Sequence, residues 1–188
     1  MIENEYRLPI RIFHDFTERI ERLGIKYMLT GSMAMFHYAV YRMTADVDVV
    51  VELEHRHAQM LIDNLEPVYV IPHNSMRRAI DDRRMFNVLH MDTAFKVDCV
   101  IRKTSPFQVS AFERRQLVDF YGRDCYVITA EDLVLSKLAW AAESKSDKQK
   151  ADIKNLMRNP LDTNYIETWA TELGLRETYE TYRAEIET

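Results

Sequence analysis

Residues 29–51 read LTGSMAMFHYAVYRMTADVDVVV, and this stretch decides the fold. It starts as a short apolar strand that ends in Gly31 and Ser32, and it closes with Asp46 and Asp48 in a run of valines. Gly31 and Ser32 leave little side-chain bulk at a turn, where backbone N–H groups and a hydroxyl can contact a phosphate at the start of a helix. Residues two apart in a strand share a face, so we expect Asp46 and Asp48 to lie on one face, about 6.5–7 Å apart at the backbone.

Two carboxylates on one strand face indicate a cation. Like charges repel each other unless positive charge lies between them, and Mg²⁺ is held in proteins by one or two carboxylates together with substrate phosphates. The stretch therefore predicts a phosphate-binding turn beside a metal site. Each motif alone is weak evidence, because Gly-Ser is a common turn and Asp-Val-Asp can be an exposed strand edge. Their combination at this spacing favours a functional site.

The combined pattern resembles the signature of the nucleotidyltransferase superfamily related to DNA polymerase beta, in which Gly-Ser, a helix and Asp-hydrophobic-Asp follow one another. The string RMTADVD at residues 42–48 looks most like stand-alone bacterial nucleotidyltransferases of the abortive-infection toxin and related uncharacterised type. Further along, FKVD at residues 95–98 resembles the third carboxylate strand of that superfamily. AEDLVLSKL at residues 130–138 and KADI at residues 150–153 resemble the helical segment that follows. The resemblance covers about four fifths of the chain.

This resemblance implies a metal-dependent transferase. An acceptor hydroxyl attacks the α-phosphorus of a nucleoside triphosphate, and the bond to pyrophosphate breaks as pyrophosphate leaves. Two divalent ions about 3.5–4 Å apart activate the nucleophile and hold the triphosphate. Mg²⁺ or Mn²⁺ is the expected cofactor, with a triphosphate such as ATP as substrate. Asp46, Asp48 and Asp98 are the candidate catalytic and metal-binding residues, and Asp98 could also accept the proton of the acceptor. The candidate nucleotide-binding residues are Gly31, Ser32, Arg42, Thr44 and Lys137.

Several of these assignments have structural alternatives. Arg42 could be an ion-pair partner and Thr44 a turn residue. Lys137 and Asp152 could be solvated charges on a helix surface. A single aspartate such as Asp98 on an otherwise apolar strand is also common.

Composition limits the class of protein. The chain has 188 residues, of which 47% are hydrophobic, enough for one core with a small appendage. Its formal net charge of −5 provides no overall attraction to nucleic acid or acidic membranes. Its two cysteines favour a reducing compartment over a disulfide framework. The N-terminus lacks the basic and long apolar regions of a signal peptide, and no apolar run reaches membrane-spanning length. We expect a cytoplasmic protein.

Periodicity predicts an α+β fold, a mixed sheet flanked by helices and completed by a C-terminal helical subdomain. The expected strands are residues 25–30, 47–53, 68–71, 85–90, 94–101, 115–120 and 125–129. The expected helices are residues 8–23, 32–41, 54–65, 75–82, 131–143, 150–157, 163–173 and 175–185. The polar residues 144–149 are expected to form a mobile loop. We place the catalytic domain at residues 1–129 and the helical subdomain at residues 130–188.

The acceptor and biological setting are less constrained by sequence. A local basic wall could receive a macromolecule, if its members fold near the site. Its candidate members are Arg77, Arg78, Arg83, Arg84, Arg114 and Arg115. This possibility favours an RNA end or a protein hydroxyl as acceptor, and the resemblance to abortive-infection toxins implies a toxin–antitoxin pair with a cognate partner. Two alternatives remain open: a catalytically inert nucleotide-binding or interaction module, and a small-molecule adenylyltransferase acting on aminoglycosides or lincosamides.

Overall fold

The computed structural model describes residues 4–38, 44–144 and 147–187. Its strands, in chain order, are β1 (Tyr27–Thr30), β2 (Asp46–Val51), β3 (Tyr69–Val70), β4 (Met85–His90), β5 (Lys96–Ile101), β6 (Gln116–Asp119) and β7 (Asp124–Val127). Its helices are α1 (Asn4–Arg22), α2 (Gly31–Tyr38), α3 (Ala58–Leu65), α4 (His73–Asp82), α5 (Pro106–Glu113), α6 (Ala130–Ser144), α7 (Asp147–Leu156), α8 (Thr163–Glu172) and α9 (Arg176–Glu187). A 3₁₀ turn at His55–His57 precedes α3. The α+β class predicted from the sequence is confirmed.

One mixed sheet organises the described residues, with strand order β3-β4-β5-β2-β1-β7-β6. The central strand β2 pairs antiparallel with β1 and parallel with β5. Its Val-rich sequence suits this place, because β-branched side chains pack well on a pleated surface and a central strand is buried on both faces.

The two faces of β2 carry different side chains. Val47, Val49 and Val51 are buried on the face that also receives α1 and α3. Asp46 and Asp48 lie on the opposite face, next to α2. The alternation predicted from the sequence therefore separates the apolar core from the polar site.

Helix α2 follows β1 without an intervening loop. Gly31 is the first residue of α2 and has φ of +66°, a left-handed conformation that glycine adopts without a Cβ penalty. The sequence predicts a helix at residues 32–41, and residues 39–41 of that range lie outside the described residues.

Two sequence expectations need correction. Helix α5 occupies residues 106–113, where no element was predicted; Ser105 and Pro106 at its start have the conformation and position typical of a helix N-terminus. The expected mobile loop at residues 144–149 is wrong over most of its length. Ser144 ends α6, and residues 147–149 belong to α7, where Gln149 is buried and hydrogen-bonded to Lys137. Residues 145 and 146 lie outside the described residues.

The helical region from residue 130 onward packs on the rest of the chain. Helices α6 and α7 both contact α2, and α8 and α9 pack against α6. One hydrophobic core cluster includes residues of the sheet as well as Leu133, Leu138 and Ile153. The predicted helix start near Thr129 is confirmed, because the Thr129 hydroxyl accepts a hydrogen bond from the backbone N–H of Asp132, at 3.2 Å. The division into domains at residues 129 and 130 stays a prediction.

Candidate active site

The strand register brings three aspartates together, and we refer to Asp46, Asp48 and Asp98 as the carboxylate cluster. In the parallel pair of β2 and β5, Asp48 lies directly opposite Asp98, and Asp46 lies opposite Lys96. Side chains opposite one another in neighbouring strands lie on the same face, so all three carboxylates and Lys96 project to one side of the sheet. The convergence expected from the alternation of β5 depends on this register, which the sequence does not reveal.

The surroundings of Asp48 shift the pKa of its carboxyl. Burial, together with the negative charges of Asp46 and Asp98, raises the pKa of Asp48 to about 6, and the cations Lys137 and Lys96 oppose this rise. Burial and the two neighbouring negative charges each disfavour the ionised carboxylate, which a divalent cation would favour.

Lys96 contacts two members of the cluster. Its Nζ donates to Asp98 Oδ2 at 2.8 Å and lies 3.4 Å from Asp46 Oδ2. The hydrogen bond to Asp98 raises the pKa of Lys96. Lys96 was not among the residues selected from the sequence, although it is two positions before Asp98 and so had to share its strand face.

The turn at Gly31 is fitted closely to the cluster. A Cβ added at Gly31 would lie only 2.0 Å from Asp48 Oδ2, so even alanine would collide with this carboxylate. From the sequence, Gly31 is expected to leave space for a phosphate. The structure adds a nearer reason, which is room for Asp48 itself.

The remaining candidate residues fall into different environments. Thr44 donates to the backbone oxygen of Asp46 at 2.9 Å and to its Oδ1 at 3.1 Å, so it holds the side chain of Asp46 in place. Ser32 lies in the first turn of α2 and is partly exposed. Arg42 lies outside the described residues. Lys137 is not a solvated surface charge, because it is 2% exposed.

Lys137 belongs to a buried polar group between α6 and α7. Its Nζ donates to Asp152 Oδ2 at 2.8 Å and to Gln149 Oε1 at 3.3 Å. Its positive charge also acts on Asp48, so this group lies close to the carboxylate cluster. A buried cation paired in this way carries its own neutralising partner.

The carboxylate cluster has the donors that a divalent cation requires. Asp98 Oδ1 is buried and has no hydrogen-bond partner among the described residues, which is costly unless something else binds that oxygen. Among the residues that the structure describes, no three acidic, histidine or cysteine side chains are arranged to hold an ion together. Asp46 and Asp98 contact the ammonium of Lys96 instead. In their chemistry, the three carboxylates nevertheless fit Mg²⁺ or Mn²⁺, because these ions prefer oxygen ligands of high negative charge.

An open floor lies beside the cluster on the same sheet face. Asn87 in β4 is opposite Asp98 and is exposed to solvent. On the same side lie the apolar side chains of Met85 and Leu89 in β4 and of Val70 in β3, which are 50%, 40% and 54% exposed. We refer to Val70, Met85, Asn87 and Leu89 as the β3–β4 floor.

The six arginines proposed as a basic wall do not come together. Arg83 and Arg84 precede β4, near one edge of the sheet, whereas Arg114 and Arg115 precede β6, the strand at the opposite edge. Arg114 is also engaged elsewhere, since it stacks on Tyr165 at 3.8 Å and contacts Asp132 at 3.3 Å. A single wall built from all six residues is therefore excluded by the strand order.

The fold is that of a nucleotidyltransferase. The family model described as nucleotidyltransferase of unknown function (DUF6036) matches residues 10–185, and the chain belongs to this family of enzymes. No curated protein matches the chain by sequence.

Solved structures share the fold at low sequence identity. The antibiotic-resistance factor ANT(2'')-Ia superposes with a TM-score of 0.62 at 12% identity, covering 95% of this chain and 94% of that one. A protein from Thermotoga maritima described as a putative nucleotidyltransferase superposes with a TM-score of 0.53 at 14% identity, covering 80% of this chain and 94% of that one. The lincosamide antibiotic adenylyltransferase LnuA, in a lincomycin-bound structure, superposes with a TM-score of 0.51 at 17% identity. The match covers 84% of this chain and 97% of that one. At such identities the likeness establishes the fold alone. None of the described helices is both long and apolar enough to cross a membrane.

Proposed function

We propose that this protein transfers a nucleoside monophosphate from a nucleoside triphosphate to an acceptor hydroxyl, with Mg²⁺ or Mn²⁺ held by Asp46, Asp48 and Asp98. One observation carries the proposal: the register of β2 and β5 sets Asp48 opposite Asp98 on the face that also carries Asp46. The unpartnered Oδ1 of Asp98 adds support, because a buried carboxylate oxygen is rarely left without a ligand. A bound divalent ion would polarise the phosphate and lower the pKa of the attacking hydroxyl.

The other residues of the proposed site would each have a role that follows from their position. Backbone N–H groups at the start of α2, with the Ser32 hydroxyl, would bind the triphosphate, because the first N–H groups of a helix lack partners within the helix. Thr44 would keep Asp46 turned toward the ion. Arg42 would neutralise phosphate charge through its planar fork. Lys137, close to Asp48, would add positive potential on the nucleotide side.

The β3–β4 floor favours a macromolecular acceptor. It adjoins Asp98, the carboxylate proposed to receive the proton of the acceptor, and it is open and largely apolar. A drug-sized acceptor would be better served by an enclosed pocket that buries most of its surface. Asn87 would hydrogen-bond to the acceptor beside Asp98.

Of the two macromolecular acceptors, we favour a protein hydroxyl over an RNA end. RNA binding depends on cations placed along the phosphate backbone, whereas the floor is apolar and the net charge of the chain is −5. Exposed Met and Leu side chains are typical of a protein-binding surface. We further propose a cytoplasmic location and a cognate partner encoded nearby, as in a toxin–antitoxin pair.

Labelled substrates test this function. The purified protein would be incubated with each α-labelled nucleoside triphosphate and Mg²⁺ or Mn²⁺, together with total cell protein, total RNA, or aminoglycosides and lincosamides. We expect label on protein. Label on RNA would reverse the choice of acceptor, and label only on the antibiotics would favour a small-molecule adenylyltransferase.

Matched variants locate the activity. Asp48→Asn should reduce transfer by about 10²–10⁴-fold, because it removes a metal ligand. Asp98→Asn should slow the chemical step while leaving triphosphate binding close to that of the parent. Asp124→Asn, an exposed carboxylate in β7, is the control and should retain activity. Full activity in Asp48→Asn would refute the site, and no label from the parent under any condition would favour an inert nucleotide-binding module.

A further inference from the structure

Lys96 places an ammonium where the cluster most needs positive charge. Its position follows from the register, since it is opposite Asp46 in the neighbouring strand and two residues before Asp98 in its own. The ammonium therefore spans from one carboxylate to the other, contacting Oδ2 of both. Without a cation, three carboxylates on one face would repel each other, so this contact stabilises the metal-free protein.

The contacts of Lys96 use oxygens that a metal ion would also use. Asp98 has two carboxylate oxygens; Lys96 binds Oδ2, and Oδ1 has no partner. Asp46 Oδ2 is the second oxygen near the ammonium, while Asp46 Oδ1 accepts from Thr44. An ammonium and a divalent cation also repel each other at short range. Both cannot occupy the space between Asp46 and Asp98.

Lys96 has room to leave. Its side chain is 35% exposed, whereas that of Asp98 is 7% exposed. The lysine can thus turn toward solvent by rotating its flexible stem, while the carboxylate stays in the sheet.

We propose that Lys96 is an internal counter-ion that competes with the divalent cation for Asp46 and Asp98, and that it is displaced when metal and triphosphate bind together. This inference rests on the proposed function, because it concerns the same site. It assigns Lys96 a regulatory role. The ammonium lowers the affinity of the site for the divalent cation in the absence of nucleotide. The triphosphate restores this affinity, because it brings further oxygen ligands and negative charge to the ion.

Metal binding without turnover tests the competition. Mn²⁺ affinity would be measured by electron paramagnetic resonance for the parent, for Lys96→Met and for the control Lys26→Met, which removes an exposed lysine paired with Glu52 outside the cluster. We expect Lys96→Met to bind Mn²⁺ about tenfold more tightly in the absence of nucleotide, since an ammonium no longer opposes the ion. A smaller gain is expected when a non-hydrolysable triphosphate is present. Lys26→Met should match the parent.

A second measurement uses the unsubstituted chain, so it does not depend on how a variant folds. Acetylation of lysines, read by mass spectrometry, would be compared with and without Mn²⁺ and the non-hydrolysable triphosphate. Displacement predicts that labelling of Lys96 rises several-fold on addition of the metal complex, because its ammonium becomes accessible. Labelling of Lys26 should stay constant.

The outcomes separate this inference from the proposed function. If the parent binds Mn²⁺ and triphosphate while Lys96→Met binds metal equally or more weakly, Lys96 helps to organise the site and the competition is refuted. Unchanged labelling of Lys96 on metal binding refutes it as well, and the proposed function stands in either case. A parent that binds no metal with any triphosphate overturns both.

Discussion

The carboxylate cluster and the pocket around Asp132 both take carboxylates out of water, but they treat the charge in opposite ways. Asp132 is fully buried, and both of its oxygens are used: Oδ1 accepts from Tyr165 at 2.7 Å, and Oδ2 accepts from Thr129 at 2.7 Å and Arg114 at 3.3 Å. Asp98 is almost as buried, yet its Oδ1 has no partner. A buried carboxylate with hydrogen bonds to both oxygens stabilises the fold, whereas a buried carboxylate with an unused oxygen is suited to bind a ligand.

The same contrast extends to the neighbouring residues. The partners of Asp132 are Arg114 just after α5, Thr129 just before α6 and Tyr165 in α8, so the network ties together segments that are far apart in sequence. The carboxylate cluster instead gathers like charges on adjacent strands, with one ammonium shared between two of them. The first arrangement should contribute stability, and the second should cost stability until a cation arrives.

Removing the satisfied carboxylate should give the largest change in stability. Asp132→Ala would leave the Tyr165 and Thr129 hydroxyls and the Arg114 guanidinium without their acceptor. We expect the free energy of unfolding to fall by about 4 kcal/mol, the range found when one partner of a buried ion pair is removed. Urea unfolding followed by circular dichroism would measure it.

The result for Asp132 has a clear counterpart. Tyr165→Phe removes one of the three side-chain hydrogen bonds to the same carboxylate, together with the 3.4 Å contact to Ser110 Oγ, and should cost about 2 kcal/mol. A loss below about 1 kcal/mol for Asp132→Ala would mean that the network contributes little, and the contrast between the two regions would then fail.

The turn at Gly31 gives a second test, because it joins backbone strain to the cluster. Gly31→Ala places a Cβ where Asp48 Oδ2 now lies, in addition to forcing alanine into a left-handed conformation. We expect a loss of about 3 kcal/mol in unfolding free energy, together with impaired metal binding as Asp48 is pushed aside.

Gly24 supplies the matched control. It has φ of +70°, close to the +66° of Gly31, but nothing lies within 4 Å of an added Cβ. Gly24→Ala should therefore show the conformational cost alone, about 1–2 kcal/mol. Equal losses for the two variants would indicate that crowding against Asp48 is unimportant.

How far the sequence predicts this molecule differs between the fold and the site. Alternation and turn residues correctly predicted each strand of the described sheet, because strand signals are local. Helix α5 was missed because its short run, Pro106 to Glu113, has little amphipathic pattern of its own. The loop expected at residues 144–149 was misassigned, since Gln149 is polar in sequence but buried against Lys137 by tertiary packing.

The site needed information that no local pattern contains. Asp46 and Asp48 could be selected from their spacing, but the position of Asp98 opposite Asp48 is a property of strand order and register. The sequence shows that Lys96 shares a strand face with Asp98, but its contact with Asp46 follows from the same register and is visible only in the structure. The role of Lys137 in nucleotide binding stays a prediction, and its burial with Asp152 was not predictable from a helical charge pattern.

The cost of ionising Asp48 should change stability less than Asp132→Ala or Gly31→Ala does. The pKa of Asp48 in the folded protein is raised to about 6 from an ordinary value of 3.8. Between these two values the folded state holds a proton that the unfolded state has released, so stability falls as pH rises through this window. Above about pH 6 the full penalty is present. Asp48→Asn removes it and should raise the unfolding free energy by about 2 kcal/mol at pH 7.5 in EDTA.

The pH dependence of this gain distinguishes it from a general effect of substitution. As the pH falls toward 4, Asp48 becomes neutral in the folded parent too, so the difference between parent and Asp48→Asn should shrink to a few tenths of a kcal/mol. The difference between parent and Asp124→Asn should stay small and constant over the same range. Adding Mn²⁺ with a non-hydrolysable triphosphate should reverse the order of stability, because only the parent retains the complete set of carboxylates for the ion. A stabilising effect that is independent of pH would mean that packing, rather than the charge of Asp48, accounts for it.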